Sequence, residues 1–306
     1  MSKEERYFLP YQLAWLRDPA PVKIWEKSRR VGATYTQSYE DVRDCIWGTT
    51  PAVWYSSSDE TAAREYVLEC KRWARRLNAL FAEYDSPFVD DRDVSVHSIV
   101  FRSGARINAL SSNPKQFRSK GGKVVLDEFA FHERPVELWR AARPVTTWHG
   151  GQMRILSTHN GKGTRFYEFV EACSRGGNIR DAGVEDAPDA PPDTPEWSLH
   201  RTTIFDAARA GILHRIRASQ GLPPPTEEEV GAWLRELRRD CFDEETWLQE
   251  YCCVPADEAS SFLPWEMITA CERGALDSRP LEELRRSRLS RNGHRAQARP
   301  LGNLAP

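Results

Sequence analysis

Lys27-Ser28-Arg29-Arg30-Val31-Gly32-Ala33-Thr34 is the segment from which the architecture of this chain can be inferred. A short run rich in β-branched residues, Val22 to Trp25, precedes it, and a segment with helical character, Thr34 to Ile46, follows it. Strand, glycine-bearing loop and helix in this order are typical of a phosphate-binding loop, whose backbone N–H groups bind the anion. The order therefore predicts a phosphate site at the start of the first long helix.

The match to the usual phosphate-loop pattern is incomplete. Against G-x-x-x-x-G-K-[ST], Gly32 and Thr34 are in register, but Lys27 replaces the first glycine and Ala33 replaces the lysine. Taken alone, the segment also fits a basic turn in a surface loop. A second element is needed to decide between these interpretations.

That second element is Lys123-Val124-Val125-Leu126-Asp127-Glu128, about ninety residues later, which is the spacing of a Walker B strand. A continuous apolar run indicates a buried parallel strand, and ligands of such sheets lie at the carboxyl ends of the strands. Asp127 is then suited to hold Mg²⁺, and Glu128 to orient and polarise an attacking water. A solvated strand end is the alternative for this segment alone, but together with the Thr34 loop at this spacing it favours an ATPase.

Composition limits the other function classes. The chain has 306 residues and a formal net charge of −2, so a nucleic-acid footprint can only be a local basic surface. Seven cysteines occur without metal-ligand spacing, and no signal peptide is apparent, so we expect reduced thiols in a cytoplasm. No apolar run approaches the length of a membrane span, and we expect no membrane partner.

The remaining pattern alternates strands and helices. We predict strands at Ala52–Tyr55, Val94–Phe101, Ala105–Leu110, Met153–Thr158 and Ser198–Phe205, and helices at Leu13–Arg17, from Asp59 to about Phe81, and at Pro135–Arg143, Asp206–Gly211, Thr226–Asp240 and Glu244–Tyr251. Loops or turns are predicted at Ser86–Asp93, Ser111–Gly122 and Ser174–Glu196. The predicted fold is an α/β P-loop NTPase of the RecA/ASCE-like kind, a mostly parallel twisted sheet flanked by helices.

Several polar residues outside the two main segments have both a functional and a structural interpretation. The helix after Asp59 carries Lys71, Arg72, Arg75 and Arg76, which form either a solvated surface or a face toward DNA. Gln12 either contacts an adenine edge or caps a helix. Ser157 and Thr158 either sense a γ-phosphate or cap the next helix.

Taken together, these segments resemble the large terminase subunit of tailed bacteriophages, the ATP-driven motor that packages DNA into a procapsid. The resemblance covers roughly Phe8 to Trp265. It rests on the set, in this order, of Pro10-Tyr11-Gln12, Lys27 to Thr34, Ser111 to Phe131, Leu156-Ser157-Thr158, Trp247-Leu248-Gln249-Glu250-Tyr251 and Ser261-Phe262-Leu263.

The resemblance implies specific roles. Some members of the family place the essential lysine at the start of the loop, so Lys27 would bind the β- and γ-phosphates of ATP together with the loop residues Ser28, Arg30, Val31, Gly32 and Ala33. Thr34 and Asp127 would hold Mg²⁺. Arg29 resembles a cis arginine finger, and Arg118 lies where other members carry a trans finger; the sequence does not choose between them. Ser157-Thr158 resembles the coupling motif, and Gln12 the adenine-contacting glutamine.

The resemblance also implies partners: double-stranded DNA, the portal of a procapsid, a small terminase subunit, and further copies of the chain in a ring in the host cytoplasm. The C-terminal part departs from the family, because an Arg-rich tail (Leu281 to Arg299) takes the place of a nuclease domain. We therefore expect an ATPase domain over 1–258 and, over 259–306, the start of an interdomain segment and a disordered tail. No nuclease activity is expected.

Two alternatives remain at this stage. The first is a helicase-like or remodelling ATPase, which needs a second RecA-like domain. The second is a truncated prophage fragment that binds nucleotide or DNA without turnover, which Ala33 and the missing nuclease domain keep open.

Overall fold

The computed structural model describes residues 4–77, 81–87, 95–110, 112–148, 151–175 and 197–257. Its strands are β1 (Val22–Lys27), β2 (Ala52–Ser56), β3 (Phe81–Pro87), β4 (Ser95–Phe101), β5 (Arg106–Leu110), β6 (Lys123–Asp127), β7 (Met153–Ser157) and β8 (Ser198–Thr202). Its α-helices are α1 (Pro10–Arg17), α2 (Ala33–Trp47), α3 (Glu60–Arg76), α4 (Pro135–Ala142), α5 (Arg165–Arg175), α6 (Ile204–Arg209), α7 (Ile212–Ser219), α8 (Glu227–Asp240) and α9 (Glu244–Tyr251).

The described strands form one sheet in the order β3-β4-β5-β2-β6-β7-β1-β8. All neighbours from β5 to β8 in this order are parallel, and only the pairs that include β4 are antiparallel. Strand β7 therefore separates β1, which leads into the phosphate loop, from β6, which ends in Asp127. The carboxyl ends of all three strands meet at one edge of the sheet, where ligands of such folds bind.

Apolar side chains cover both faces of the sheet, as expected for parallel strands with helices on either side. In β6, Val124, Val125 and Leu126 are fully buried, and burial of each such side chain contributes about 1.5–3 kcal/mol. Val125 packs with residues of α1, α2 and α3 on one face, and Leu126 packs with residues of α4 and α5 on the other. The chain thus forms three layers, with the sheet in the middle.

A buried ionic cluster joins α2 to the strands. Lys23 of β1, Lys123 of β6 and Arg154 of β7 each place a cation against the acids of α2, and the cluster consists of Lys23, Lys123, Arg154, Glu40, Asp41 and Asp44. Burial lowers the pKa of Lys23 to about 7, even though Glu40 opposes this shift. Burial also tends to lower the pKa of Lys123, but the charges of the surrounding carboxylates have the larger combined effect, so its pKa is raised.

Some predicted boundaries were wrong. Helix α3 ends at Arg76 instead of continuing to Phe81, because residues from Phe81 onward form β3 and pair antiparallel with β4. The predicted strand from Ser198 to Phe205 ends at Thr202, because Thr203 forms a capping box with Asp206 and starts α6. The polar turn expected from Ser86 begins later, since β3 runs to Pro87.

Other predictions are incomplete or untested. Helix α5 was not predicted, and the loop expected from Ser174 begins after its last residue, Arg175. Residues 88–94 and 176–196 and the tail from 258 lie outside the described residues. The described part falls within one unit, Met1–Glu258, and the division after residue 258 stays a prediction. None of the helices described combines the length and apolar character needed to cross a bilayer.

Candidate functional site

The loop between β1 and α2 presents a set of backbone donors. Among the described residues, the amides of Arg30 to Thr34 have no protein acceptor, as expected for a loop that leads into the first turn of a helix. Gly32 has φ +77°, and Arg30 also adopts a left-handed conformation. Consecutive amides in such a conformation form a concave anion site.

In the first part of the loop, by contrast, the backbone N–H groups donate hydrogen bonds to other segments of the protein. The Ser28 N–H donates to the Thr202 carbonyl at 2.8 Å, and the Arg29 N–H donates to the Glu250 carbonyl at 2.9 Å. Ser28 is also fully buried, and its hydroxyl donates to the Arg29 carbonyl. Both donors of Ser28 thus have protein acceptors in this structure, and contact of Ser28 with phosphate stays a prediction.

Gln12 holds the loop from the side of α1. Its amide nitrogen donates to the Val31 carbonyl at 3.1 Å, and its amide oxygen accepts from the Leu9 N–H at 2.8 Å. A Cβ at Gly32 would lie 2.7 Å from that nitrogen, so the Gln12 amide would have to shift if this position carried a side chain. Gln12 thus orients the loop in this structure, and its contact with adenine stays a prediction.

Thr34 and Asp127 meet at the edge of the sheet. The Thr34 hydroxyl donates to Asp127 Oδ2 at 2.7 Å, and the Tyr55 hydroxyl donates to the same oxygen at 2.9 Å. Burial raises the pKa of Asp127, and the neighbouring charge of Glu128 adds to this effect, while Lys27 and the two hydroxyls oppose it. A bound cation would favour the ionised carboxylate at this position.

This geometry fits a magnesium ion. A hydroxyl and a carboxylate oxygen side by side beneath a phosphate loop are the hard oxygen ligands that Mg²⁺ takes when phosphates supply further ligands. No cluster of three or more His, Cys, Asp or Glu side chains that could hold a metal by itself occurs in the described residues. Thr34 and Asp127 are therefore the residues suited to hold the ion.

Lys27 and Glu128 form an ion pair across two strands that are not neighbours. The Lys27 ammonium lies 2.8 Å from Glu128 Oε1; the lysine side chain is 6% exposed and the glutamate side chain 34%. Glu128 has φ +49°, a left-handed conformation that is uncommon for a residue with a side chain. Such strain is often found at functional positions, and here it accompanies the turn of the chain away from Asp127.

The tip of β7 contacts both neighbouring segments. The Ser157 hydroxyl accepts a hydrogen bond from the Ala130 N–H at 3.1 Å, just after the acidic pair. Thr158 makes a side-chain hydrogen bond to Glu250 of α9. Both residues are buried, so they connect elements around the site, and direct contact with nucleotide stays a prediction.

Glu250 and Tyr55 belong to the site but were missed by sequence reasoning. Glu250 Oε2 lies 3.5 Å from Arg29 Nη1. Burial raises the pKa of Glu250 and the charge of Glu128 also raises it, while Arg29 and Lys27 oppose the shift. The segment Trp247–Tyr251 contributed to the family resemblance, but it gave no sign that Glu250 lies beside the phosphate loop. Tyr55 had a weak signal, since it lies at the end of a predicted strand.

The two candidate arginine fingers lie in different places. Arg29 belongs to the loop, is more than half exposed and lies beside Glu250. Arg118 follows the 3-10 turn Pro114–Phe117, is exposed, and lines a cavity that no described residue of the loop from Lys27 to Thr34 lines. Within one chain, Arg29 therefore adjoins the acidic pair's neighbour Glu250, whereas Arg118 lines a cavity of its own.

Comparison with known sequences identifies relatives. The family profile described as "Terminase large subunit, T4likevirus-type, N-terminal" matches residues 24–210. The chain is 34% identical over 277 residues to the Mu-like prophage FluMu protein gp28 of Haemophilus influenzae, covering 89% of this chain and 50% of that protein. It is 32% identical over 284 residues to the probable terminase large subunit gp28 of Escherichia phage Mu, covering 90% and 48%. The chain thus spans about half the length of these curated relatives.

Solved structures with low sequence identity share the fold. The large terminase ATPase domain of Thermus phage P74-26 aligns with a TM-score of 0.52 at 20% identity, covering 80% of this chain and 93% of that one. The large terminase of another thermophilic bacteriophage, in complex with ADP, aligns with a TM-score of 0.54 at 14% identity, covering 82% and 54%. These matches confirm the predicted α/β P-loop NTPase fold.

Proposed function

The chain belongs to the terminase large subunit family, and we propose that it hydrolyses ATP to drive double-stranded DNA into a phage procapsid. One observation carries the proposal: four side chains from the phosphate loop, α2 and the end of β6 converge at one edge of the sheet. Thr34 bonds to Asp127, and Lys27 pairs with the adjacent Glu128. A phosphate cation, a metal-binding pair and a carboxylate base are the groups that phosphoryl transfer to water requires.

The proposed mechanism assigns binding to the loop and proton chemistry to Glu128. The free amides of Arg30 to Thr34 bind the phosphates. An ammonium has three N–H donors, so Lys27 can bind phosphate oxygens while one donor keeps the Glu128 carboxylate in place. Glu128 then accepts a proton from the attacking water and aligns that water with the γ-phosphate.

Mg²⁺, held by Thr34 and Asp127, would neutralise phosphate charge when bound. The hydroxyl and carboxylate that would hold it are already 2.7 Å apart. The Tyr55 hydroxyl also donates a hydrogen bond to the Asp127 oxygen that accepts from Thr34. The chain therefore keeps the Asp127 oxygens oriented without relying on the ion.

Charge that develops in the transition state needs a further cation, and in related phosphoryl transfers such a cation raises the rate by several powers of ten. Arg29 is the candidate from the same chain, once it moves from Glu250 toward the phosphates. Arg118 is the candidate from a neighbouring copy, because it is exposed and lines a cavity to which its own phosphate loop contributes no described residue. The second choice requires a ring of subunits.

The proposal extends to the partners of a packaging motor: double-stranded DNA, the portal of a procapsid, a small terminase subunit and other copies of this chain in a ring, within the host cytoplasm. The second of the structurally similar terminases has been solved with ADP and with ATP-γ-S, which supports a nucleotide here. The absence of nuclease activity from this chain stays a prediction. No observation favours a helicase-like enzyme or a fragment without turnover.

The test is steady-state ATPase activity of the purified chain with and without duplex DNA and procapsids. Glu128→Gln should abolish hydrolysis while Mg-ATP still binds, because the amide keeps the shape but accepts no proton. Lys27→Ala should weaken nucleotide binding and turnover together. Arg64→Ala is the matched control, since it removes an exposed cation paired with Glu60 on α3 and should leave activity unchanged. Wild-type turnover in the Glu128 variant would refute the assignment of the base.

A further inference from the structure

A large basic cavity lies on the face of the sheet opposite α2 and α3. It has a volume of about 680 Å³ and lies between α4 and the segment around the 3-10 turn Pro114–Phe117. Phe117 and Leu138 anchor its two walls in the apolar core of that face. Its charged lining residues are Lys115, Arg118, Lys120, Arg134, Arg140 and Glu137.

The cavity concentrates positive charge in a chain whose net charge is −2. Glu137 is the only carboxylate among its described lining residues, and it pairs with Arg134 at 3.5 Å. Within the described part of the chain, Lys115, Arg118 and Arg140 have no carboxylate at ion-pair distance, and all three are exposed. The surface therefore has cations available for an external anion.

The basic face of α3 differs in this respect. Arg72 pairs with Glu69 at 2.7 Å, and the Arg76 guanidinium lies over the ring of Trp73 at 5.0 Å. Lys71 and Arg75 also have partners. The basic residues of α3, which the sequence suggested as a face toward DNA, thus already have partners within the protein. The cavity is therefore the better candidate for a DNA contact.

The lining chemistry suits phosphates more than bases. Phe117 is 1% exposed, so it offers no open aromatic face on which a base can stack. The Lys120 ammonium lies over the Trp54 ring at 4.8 Å from its centroid, so this ring face is already occupied. Lysine and arginine side chains spread over two elements match successive phosphates of a nucleic-acid backbone.

We propose that the cavity between α4 and the Pro114–Phe117 turn binds the phosphodiester backbone of duplex DNA without sequence preference. This inference rests on the proposed function, since it identifies where the motor contacts its DNA. Binding through phosphates alone is suited to a motor, because a translocating protein has to contact every sequence equally well.

The test compares two double variants of the full chain. Lys115→Ala/Arg140→Ala removes two unpaired cavity cations and leaves Arg118 intact, because Arg118 is also a candidate finger. Arg72→Ala/Arg75→Ala removes the same charge from α3. Affinity for a short fluorescein-labelled duplex is measured by anisotropy over a series of KCl concentrations, and basal ATPase activity is measured without DNA.

The cavity variant should lose about 10- to 100-fold in affinity at moderate salt, and its slope of log affinity against log salt should become shallower by about 2, since each lost phosphate contact contributes about 0.9. The α3 variant should bind DNA like the wild type. Basal ATPase activity should be equal in all three proteins.

Three results would overturn the assignment. Unchanged DNA affinity in the cavity variant with normal basal ATPase activity would reject the cavity and leave the proposed function standing. Loss of affinity in the α3 variant instead would move the contact to α3. Reduced ATPase activity at unchanged DNA affinity would indicate that the cavity faces a nucleotide bound to a neighbouring copy. Absence of turnover in the wild type, with procapsids added as well as without them, would count against the proposed function.

Discussion

Replacing Lys123 by methionine tests the buried ionic cluster beneath the site. The Lys123 ammonium lies 2.7 Å from Asp41, 2.9 Å from Asp44 and 3.3 Å from Glu40, and the side chain is fully buried. Methionine is similar in length and apolar, so the substitution removes the charge with little change in volume. The cost should therefore come from the carboxylates that are left without this cation.

The three carboxylates are affected unequally. Asp44 keeps Arg43 at 3.1 Å, and Glu40 keeps Lys23 and Arg154. Within the described ranges, Asp41 keeps only neutral donors, the Tyr66 hydroxyl at 2.5 Å and the Gln37 amide at 2.9 Å. A buried charge that loses its partner costs about 3–5 kcal/mol. Lys123→Met should lower the free energy of unfolding by this amount.

The dependence on pH follows from Asp41. Burial already raises its pKa above the usual value, and loss of the Lys123 charge should raise it further. A carboxyl whose folded-state pKa is raised costs stability as the pH rises through that pKa, because the folded state prefers the protonated form. The cost of Lys123→Met should therefore be larger at about pH 8 than at about pH 5.

Urea unfolding followed by tryptophan fluorescence measures this cost. Asp41→Asn in the Lys123→Met background should remove the uncompensated charge, so the double variant should be more stable than the sum of the single effects by about 1–3 kcal/mol. Lys162→Met, which breaks the more exposed ion pair with Asp257, is the control and should cost less than about 1 kcal/mol. A cost for Lys123→Met below about 1 kcal/mol, independent of pH and additive with Asp41→Asn, would refute a dry, tightly coupled cluster.

Three further predictions concern the site. Gly32→Ala should weaken ATP binding, because a left-handed conformation costs a residue with a side chain about 1–2 kcal/mol and its Cβ would meet Gln12 at 2.7 Å; full affinity by calorimetry would contradict this close approach. Glu250→Gln should lower the KM for ATP by up to about tenfold, because it removes a partly buried negative charge beside the phosphates and releases Arg29; an unchanged KM in steady-state assays would place Glu250 away from the nucleotide. Thr34→Ala should abolish the Mg²⁺ dependence of nucleotide binding while Thr34→Ser retains it, and titrations with and without Mg²⁺ compare the two.

Local pattern predicted the fold and the main segments of the site. The run Val124 to Leu126 has no polar residue, so only a strand covered on both faces suits it, and the structure buries it fully. Asp59 caps α3 through its side chain, as its position before an amphipathic run indicated. The end of α3 was wrong, because hydrogen bonding between β3 and β4, which local sequence does not encode, decides where the helix stops.

By itself, the sequence determined which segments meet at the candidate site, since glycine, hydroxyl and carboxylate residues at strand ends are recognisable from their neighbours along the chain. Tertiary structure alone decided the partners: Lys27 with Glu128, Arg29 with Glu250, and Lys123 with the acids of α2. Lys123 precedes an apolar run, and nothing in the neighbouring sequence indicates that its side chain is buried among carboxylates. These pairs join residues about 80 to more than 200 positions apart, and a contact of that range depends on how strands and helices pack, which no local pattern specifies.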